Sequence, residues 1–283
     1  MLNERYLEGK THTLRIAYGP EAGPPLLFLH GVVRRWQDFL PLVPALATRW
    51  QLFGLDFRGH GGSDARAGHY CVADYVEDAV AALNRMPEPA VIYGHSLGAL
   101  VAAAVAAAEP ERVRAVVLED PPSADLLRNI HQTPFHAQFT GMKALAGRKH
   151  AVAQTARDLA EIQLPAAEGK TIRLGDVRDA ASLRFVARCL EQLDPEVLTP
   201  LIEGRWLDGY DIEAVMRGVR CPALLLRADE AHGGMLGRIE AETWAEWLAD
   251  GVLIDFPGTS HLLHGVATEA VLRVLVPFLE SIR

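Results

Sequence analysis

The residues with the clearest chemical potential are a serine and the glycines on either side of it. The motif is Gly94-His95-Ser96-Leu97-Gly98, which follows a short apolar run and precedes an alanine-rich segment. A strand, a sharp turn and a helix form the context in which Gly-x-Ser-x-Gly presents a nucleophile. Free N–H groups at the start of the helix favour negative charge developing near the serine oxygen. This pattern therefore predicts nucleophilic chemistry at Ser96.

A serine hydroxyl needs a neighbouring base, and that base needs an orienting acid. The candidate base is His261, which follows the last predicted strand and precedes the last predicted helix. This position lies at the edge of an open α/β sheet where ligands bind, the same edge at which the Ser96 turn emerges. His264, three residues further on, is the alternative base.

Strands and helices alternate along most of the chain, and they must position these side chains. This alternation predicts an α/β fold, in which a mostly parallel sheet is flanked by helices. Strands are expected at 14–18 (an edge strand), 26–29, 51–57, 91–93, 113–118, 223–226 and 252–256, and helices at 37–49, 72–86, 97–108, 239–249 and 267–282.

Residues 123–218 have a different character. Helical patterns continue there, but prolines interrupt them and no clear strand is present. We therefore predict a mainly helical insertion at 123–218 in a core formed by 1–122 and 219–283.

Composition and charge restrict the partners. The chain has 283 residues, 49% of them hydrophobic, and a net charge of −8 without a long basic cluster. That charge argues against binding to nucleic acid or an anionic membrane. Apolar stretches are interrupted well before ~18 residues, so no transmembrane helix is expected. The widely spaced Cys71, Cys189 and Cys221 suggest neither disulfides nor a metal site, and they favour a cytoplasmic location. The sequence does not indicate an oligomeric state.

Five motifs, in this order, resemble the α/β-hydrolase superfamily: His30-Gly31, Asp56 to Ser63, Gly94 to Gly98, Asp120-Pro121 and Gly258 to His261. The resemblance is more specific for the fold than for the substrate. It implies an α/β-hydrolase fold in which the helical insertion is a cap. It also implies Ser96 as nucleophile, His261 as general base, and an oxyanion hole formed by the backbone N–H groups of Val32 and Leu97.

The acid of the expected triad has two main candidates. In most of the family the acid follows the strand that corresponds to 223–226, where Asp229 lies two residues early. Some relatives with a cap place it after the preceding strand, where this chain has Asp120. The neighbouring Glu119 and Glu230 are further alternatives, and the sequence leaves the choice open.

Our hypothesis is a serine hydrolase that cleaves a small, largely apolar carboxylic ester or lactone through an acyl-enzyme intermediate, without a cofactor or metal. Val33 and Trp36 are tentative substrate-binding residues, with Trp206 and Tyr210 as further walls. Serine at the elbow argues against the alkyl-enzyme chemistry of epoxide hydrolases. The alternatives are a carbon–carbon bond hydrolase, a cofactor-free oxygenase or perhydrolase, a low-turnover ligand receptor, and a relative without catalytic activity.

Overall fold

The computed structural model describes residues 2–166 and 169–283, and an eight-stranded sheet lies at its centre. The spatial order of its strands is β1-β2-β4-β3-β5-β6-β9-β10, and β7 and β8 form a separate two-stranded sheet. The strands are β1 (Asn3–Glu8), β2 (Thr13–Tyr18), β3 (Pro25–Leu29), β4 (Gln51–Leu55), β5 (Ala90–His95), β6 (Val113–Glu119), β7 (Gln163–Pro165), β8 (Thr171–Arg173), β9 (Ala223–Ala228) and β10 (Gly251–Phe256).

In the eight-stranded sheet, the neighbouring strands β4, β3, β5, β6, β9 and β10 run parallel to one another. In contrast, β2 runs antiparallel to both β1 and β4. Every residue of the central strands β3 and β5 is buried. Such strands read as continuous apolar runs because helices cover both faces of a parallel sheet. Their carboxyl ends therefore meet at one edge, where β5 leads into the Ser96 turn.

Helices connect the strands and fill the insertion. The helices, apart from short 3-10 turns, are α1 (Val43–Leu46), α2 (Val76–Leu83), α3 (Leu97–Ala108), α4 (Ala124–Arg128), α5 (Pro134–Leu145), α6 (Val152–Ala160), α7 (Leu174–Val177), α8 (Ala180–Leu190), α9 (Thr199–Ile202), α10 (Ile212–Gly218), α11 (Arg238–Trp247), α12 (Leu263–Val266) and α13 (Thr268–Ser281).

Each face of the sheet has its own apolar cluster. On one face α3, buried from its first residue to Ala106, packs against β5 and β6. On the other face α13 buries Val271, Leu275 and Leu279, which are spaced by four residues and so share one side of the helix. Full burial of each of these leucines contributes about 1.5–3 kcal/mol. The two clusters pack against opposite faces of the sheet and thereby fix the position of its carboxyl edge.

Several local predictions were wrong. The segment 14–18 is not the edge strand, because β1 pairs outside it. The helix expected at 37–49 is reduced to a 3-10 turn at Trp36–Phe39 and the short α1, since Pro41 has no N–H to continue a helix. The predicted helix at 72–86 begins as a 3-10 turn and ends as α2 at Leu83. The insertion is not free of strands, because it contains the β7–β8 hairpin.

The insertion begins after β6 and ends before β9, and these two strands are hydrogen-bonded neighbours in the sheet. It adds no strand to the eight-stranded sheet. Because these strands are parallel, the chain leaves the sheet at the carboxyl end of β6 and returns to it at the amino end of the neighbouring β9. Within the described ranges, no helix has the length and apolarity needed to cross a bilayer.

Candidate active site

The turn between β5 and α3 places Ser96 in a backbone conformation that L-residues seldom adopt, with φ 55° and ψ −115°. The flanking glycines make this possible. A Cβ at Gly94 would lie 2.1 Å from the carbonyl oxygen of Gly98, and a Cβ at Gly98 would lie 2.0 Å from that of Leu29. Any side chain at either position would displace the backbone. The strand, turn and helix expected around Ser96 are all present.

His261 is held by Asp120, which stands immediately after β6. Nδ1 of His261 lies 2.6 Å from Oδ2 of Asp120. The same carboxylate accepts hydrogen bonds from the backbone N–H groups of Ala228 at 3.0 Å and Met235 at 2.9 Å. Asp120 is fully buried, whereas 14% of the His261 side chain is exposed. With Nδ1 donating to Asp120, Nε2 of His261 is left as the atom that can accept a proton.

Asp229, the other main candidate for the acid, has different partners. Its carboxylate accepts hydrogen bonds from the backbone N–H groups of Ala231 and Gly258 and lies 3.1 Å from Nδ1 of His232. These two backbone donors hold the pKa of Asp229 below its usual value. Glu230 pairs with Arg227. The structure therefore brings Asp120, and neither Asp229 nor Glu230, to His261.

A second carboxylate–histidine pair lies behind the first. Glu119 accepts from both Nδ1 and the backbone N–H of His264, and from the Tyr93 hydroxyl at 2.6 Å. Burial opposes ionisation of both groups. The charge of Glu119 nevertheless raises the pKa of His264 to about 9, and the positive His264 lowers the pKa of Glu119 to about 2. His264 is thus a buried, paired cation, which is unsuited to act as a base.

His95 lies between the two pairs. Its ring centroid is 4.6 Å from that of His261 and 5.3 Å from that of His264, and its Nε2 donates to the His261 carbonyl oxygen at 3.1 Å. Burial lowers the pKa of His95 to about 3, so this ring is neutral. A Cβ at Gly31 would lie 2.8 Å from Nδ1 of His95 and 3.2 Å from Cβ of Ser96. Gly31 therefore allows the loop after β3 to approach the Ser96 turn.

The loop after β3 is fixed by the loop after β4. Val33 has a φ of 65°, and its N–H donates to Nε2 of His60 at 3.3 Å. Burial lowers the pKa of His60 to about 3, which leaves Nε2 free to accept. Within residues 2–166 and 169–283, the N–H groups of Val32 and Leu97 have no hydrogen-bond acceptor. Two unpaired donors thus flank Ser96.

A cavity of about 60 Å³ opens onto Ser96 and His261. Since one water requires about 10–15 Å³, this volume suits a group of few non-hydrogen atoms. Larger and more open grooves occur elsewhere, but neither Ser96 nor His261 lines them. The cavity is lined by Gly31, Val32, Val33, Arg34, His95, Ser96, Phe135, Gln138, Phe139, Met142, Arg178, Val186, Met235 and His261.

The sequence-based choice of cavity walls was only partly matched. Val32 and Val33 line the cavity, but Trp36 does not: its Nε1 donates to Glu4 at 2.7 Å, and its ring packs over Gly54. Trp206 and Tyr210 are also outside the lining. The sequence analysis did not predict the two arginines of the lining. Arg34 lies four residues after His30, at the end of the loop that begins with the His30 motif, and this position could have indicated a residue of the site.

A family model described as the alpha/beta hydrolase fold matches residues 24–264. This chain belongs to that family. The α/β-hydrolase described here is 30% identical, over 262 residues, to the pimeloyl-[acyl-carrier protein] methyl ester esterase of Chromobacterium violaceum, covering 92% of this chain and 95% of that protein. It is 24% identical, over 277 residues, to the 2-(acetamidomethylene)succinate hydrolase of Mesorhizobium japonicum, covering 92% and 89% respectively.

Solved structures agree on the fold. A crystal structure of E-2-(acetamidomethylene)succinate hydrolase matches with a TM-score of 0.79 at 22% identity, over 99% of this chain and 100% of the other. At this identity the likeness concerns the fold alone. Together with the family match, the relatives place this α/β-hydrolase among hydrolytic enzymes.

Proposed function

We propose that this α/β-hydrolase cleaves a small carboxylic ester or lactone through an acyl-enzyme intermediate, with Ser96, His261 and Asp120 as its triad. The observation that carries the proposal is the 2.6 Å contact between His261 Nδ1 and Asp120, which orients His261 beside the cavity that it lines together with Ser96. The contact fixes the tautomer of the imidazole, so that its Nε2 faces the reaction as a base.

Acylation begins when Oγ of Ser96 attacks the carbonyl carbon of the substrate and its proton passes to Nε2 of His261. The resulting oxyanion accepts hydrogen bonds from the backbone N–H groups of Val32 and Leu97. Loss of one such donor typically costs about 3 kcal/mol of transition-state stabilisation. The bond from the acyl carbon to the alkoxy oxygen then breaks, and His261 returns the proton to the departing oxygen. In this scheme Asp120 stabilises the imidazolium without being protonated.

Deacylation repeats the sequence with water. His261 removes a proton from a water molecule as the water oxygen attacks the acyl carbon, and the acyl–Ser96 bond breaks. The acid product leaves, and Ser96 recovers its proton. Water supplies the hydroxyl of the acid product and the proton that returns to Ser96, which balances the atoms and the charge.

Three further observations support this choice of bond. The name of the Chromobacterium violaceum relative specifies a methyl ester, and that relative is 30% identical over nearly the whole of both chains. The cavity is small, which matches a compact acyl group. Elbow geometry with a serine is also suited to acyl transfer.

The test is a fluorophosphonate labelling experiment followed by peptide mapping, together with turnover of 4-nitrophenyl acetate. We expect label on Ser96 and steady ester hydrolysis in the wild type. Ser96→Ala should lose both, with hydrolysis reduced by roughly 10³-fold or more. The control is Ser281→Ala, since Ser281 lies at the exposed end of α13 and bonds only to the Phe278 carbonyl.

A folded wild type without label on Ser96 contradicts the proposed nucleophile. Equal hydrolysis by wild type and Ser96→Ala contradicts the proposed mechanism. A label on Ser96 with one turnover and a retained acyl group indicates a ligand receptor instead of an esterase. Circular dichroism of each variant shows whether the fold is intact.

A further inference from the structure

Two arginines line the same cavity as Ser96 and His261. Arg34 lies in the loop after β3. Arg178 lies between α7 and α8 and has an extended backbone, with φ −129° and ψ 134°. One comes from the sheet core and the other from the insertion. The cavity therefore has cationic groups from both parts of the molecule.

Among the residues that the structure describes, Arg178 has no anionic partner. In the described part of the chain, its guanidinium makes no hydrogen bond or ion pair, and the adjacent Asp179 uses its carboxylate to cap Ser182. The side chain is half-buried. Burial, and then the positive charge of Arg34, lower the pKa of Arg178. A poorly solvated cation beside another cation gains strongly from an anion placed between them.

Arg34 is held in place by an ion pair and an aromatic contact. Its Nη1 lies 3.3 Å from Oδ1 of Asp38, and its guanidinium stacks 5.6 Å from the ring centroid of Phe185. Asp38 also faces the positive His264, with 3.6 Å between Oδ2 and Nε2. Since His264 also pairs with Glu119, these two cations and two carboxylates balance, and the excess positive charge at the cavity wall is that of Arg178.

We propose that Arg34 and Arg178 bind a carboxylate of the substrate, so that the ester cleaved at Ser96 is the monoester of a short dicarboxylic acid. The inference rests on the proposed function and narrows its substrate class from small esters and lactones to esters with an anionic end, in place of the largely apolar substrate expected from the sequence. A planar guanidinium binds a carboxylate through two parallel hydrogen bonds. Phe135, Phe139, Met142 and Val186 provide apolar walls for the connecting carbons.

Binding to the inactive Ser96→Ala protein tests the subsite without requiring turnover. The probes are the monomethyl esters of malonic, succinic and glutaric acids. Each is compared by calorimetry with a neutral isostere that has a methyl group in place of one carboxylate oxygen: methyl acetoacetate, methyl 4-oxopentanoate and methyl 5-oxohexanoate. The series of chain lengths finds the spacing between the ester and the arginines.

We expect at least one acid ester to bind ten or more times more tightly than its neutral isostere. Arg178→Met should weaken binding of that acid by about 10- to 100-fold, as loss of a charged hydrogen-bonded pair implies, and change binding of the isostere by less than about twofold. Arg178→Lys should restore part of the loss. The matched control is Arg188→Met, because Arg188 is exposed on α8 and pairs with Glu191, its one ionic partner in residues 2–166 and 169–283.

The subsite is wrong if no acid ester binds more tightly than its isostere, or if Arg178→Met weakens both equally in a folded protein. Labelling of Ser96 in the wild type separates the two proposals. Label without any preference for the acid rejects the subsite alone. Preference for the acid without label rejects the serine mechanism and leaves the subsite in place.

Discussion

Two histidine–carboxylate pairs lie side by side at the carboxyl edge of the sheet. They differ in their exposure to solvent and in their position relative to the cavity. Asp120 and His261 meet beside the cavity, where 14% of the histidine side chain is exposed. The second pair joins Glu119, the residue before Asp120, to His264, which is three residues after His261. Neither of these two side chains is exposed. Consecutive acids thus reach two histidines of the same loop region, yet only one pair faces the space where a substrate would bind.

The backbone explains the separation. Neighbouring residues of a strand point to opposite faces, so Glu119 turns into the cluster around Tyr93. Asp120 follows the strand with φ 40°, a left-handed conformation that directs its carboxylate to the loop containing His261. Burial and a permanent charge suit the inner pair to holding the edge together. Partial exposure suits the outer pair to exchanging protons.

The largest effect is expected when the outer pair is broken. Asp120→Asn removes the charge that stabilises the imidazolium and allows the wrong tautomer of His261, so kcat for an ester should fall by about 10⁴-fold. The cost in stability should be only about 1–3 kcal/mol, from the two backbone donors that lose a carboxylate partner. Steady-state kinetics and urea unfolding measure the two effects separately.

Asp229→Asn is the matched control for that variant, because Asp229 contacts Ala231, Gly258 and His232 but not His261. We expect kcat within about twofold of the wild type. A loss of 10³-fold or more in Asp229→Asn, with Asp120→Asn active, would reverse the roles assigned to the two acids.

The inner pair should show the opposite balance. Glu119→Gln leaves His264 as a buried histidine without its counter-charge, and breaking one partner of such a pair typically costs about 3–5 kcal/mol of stability. Catalysis in the fraction that stays folded should fall far less than in Asp120→Asn. Urea unfolding at pH 6 measures the stability change. If Glu119→Gln were as stable as the wild type, the inner pair would have no structural role.

The pH dependence of the free energy of unfolding further distinguishes the inner pair, Glu119 and His264, from the outer pair. The pKa of His264 is raised from 6.5 to about 9, so its contribution is complete below pH 6.5 and is lost as the pH rises toward 9. The pKa of Glu119 is lowered from 4.5 to about 2, so its contribution is lost as the pH falls through that interval. We expect roughly 3 kcal/mol less stability at pH 9.5 than at pH 6 from this pair.

In Glu119→Gln the alkaline part of that loss should become smaller, because the charge of Glu119 that raises the pKa of His264 is gone and Asp38 alone still raises it. Urea unfolding of both proteins at pH 6 and pH 9.5 makes the comparison. An unchanged alkaline loss in the variant would show that another group causes it.

The smallest effect concerns His95, which connects the two pairs. His95→Leu removes the donor to the His261 carbonyl oxygen, and we expect kcat/KM to fall by about tenfold. His95→Gln supplies an amide N–H and should recover part of the loss. Rates of ester hydrolysis and of fluorophosphonate labelling test this, and equal activity in all three proteins would leave His95 as packing only.

The sequence predicted the parts of the site that depend on local pattern. The Ser96 turn needs glycines at fixed spacing, and His261 follows a strand, so both were found from the residues. The choice between Asp120 and Asp229 remained open because β6 and β9 are adjacent and their ends lie side by side. Which acid reaches His261 depends on the positive φ at Asp120, which no sequence pattern records.

Contacts between distant segments were beyond such reasoning. Arg34 and Arg178 are separated in sequence by the strands β4, β5 and β6 and by about half of the insertion, and only folding brings them to one cavity. The strand β1 was missed because Leu7 is its only buried residue, which leaves little alternation to recognise. Trp36 was assigned to the wrong surroundings because an aromatic residue after a strand fits a cavity wall and a sheet face equally well.

The adjacency of β6 and β9 has a consequence for how such an enzyme changes over time. Because the insertion starts and ends at neighbouring strands, the entropy of closing it grows only slowly with its length, by about 0.6 kcal/mol per doubling. Residues can be added, removed or exchanged there with little disturbance to strand pairing. The residues proposed for acyl transfer all lie outside this stretch, while Arg178 and the apolar walls formed by Phe135, Phe139, Met142 and Val186 lie within it. Substrate selectivity can therefore change through mutations in one contiguous segment while the residues proposed for catalysis stay the same.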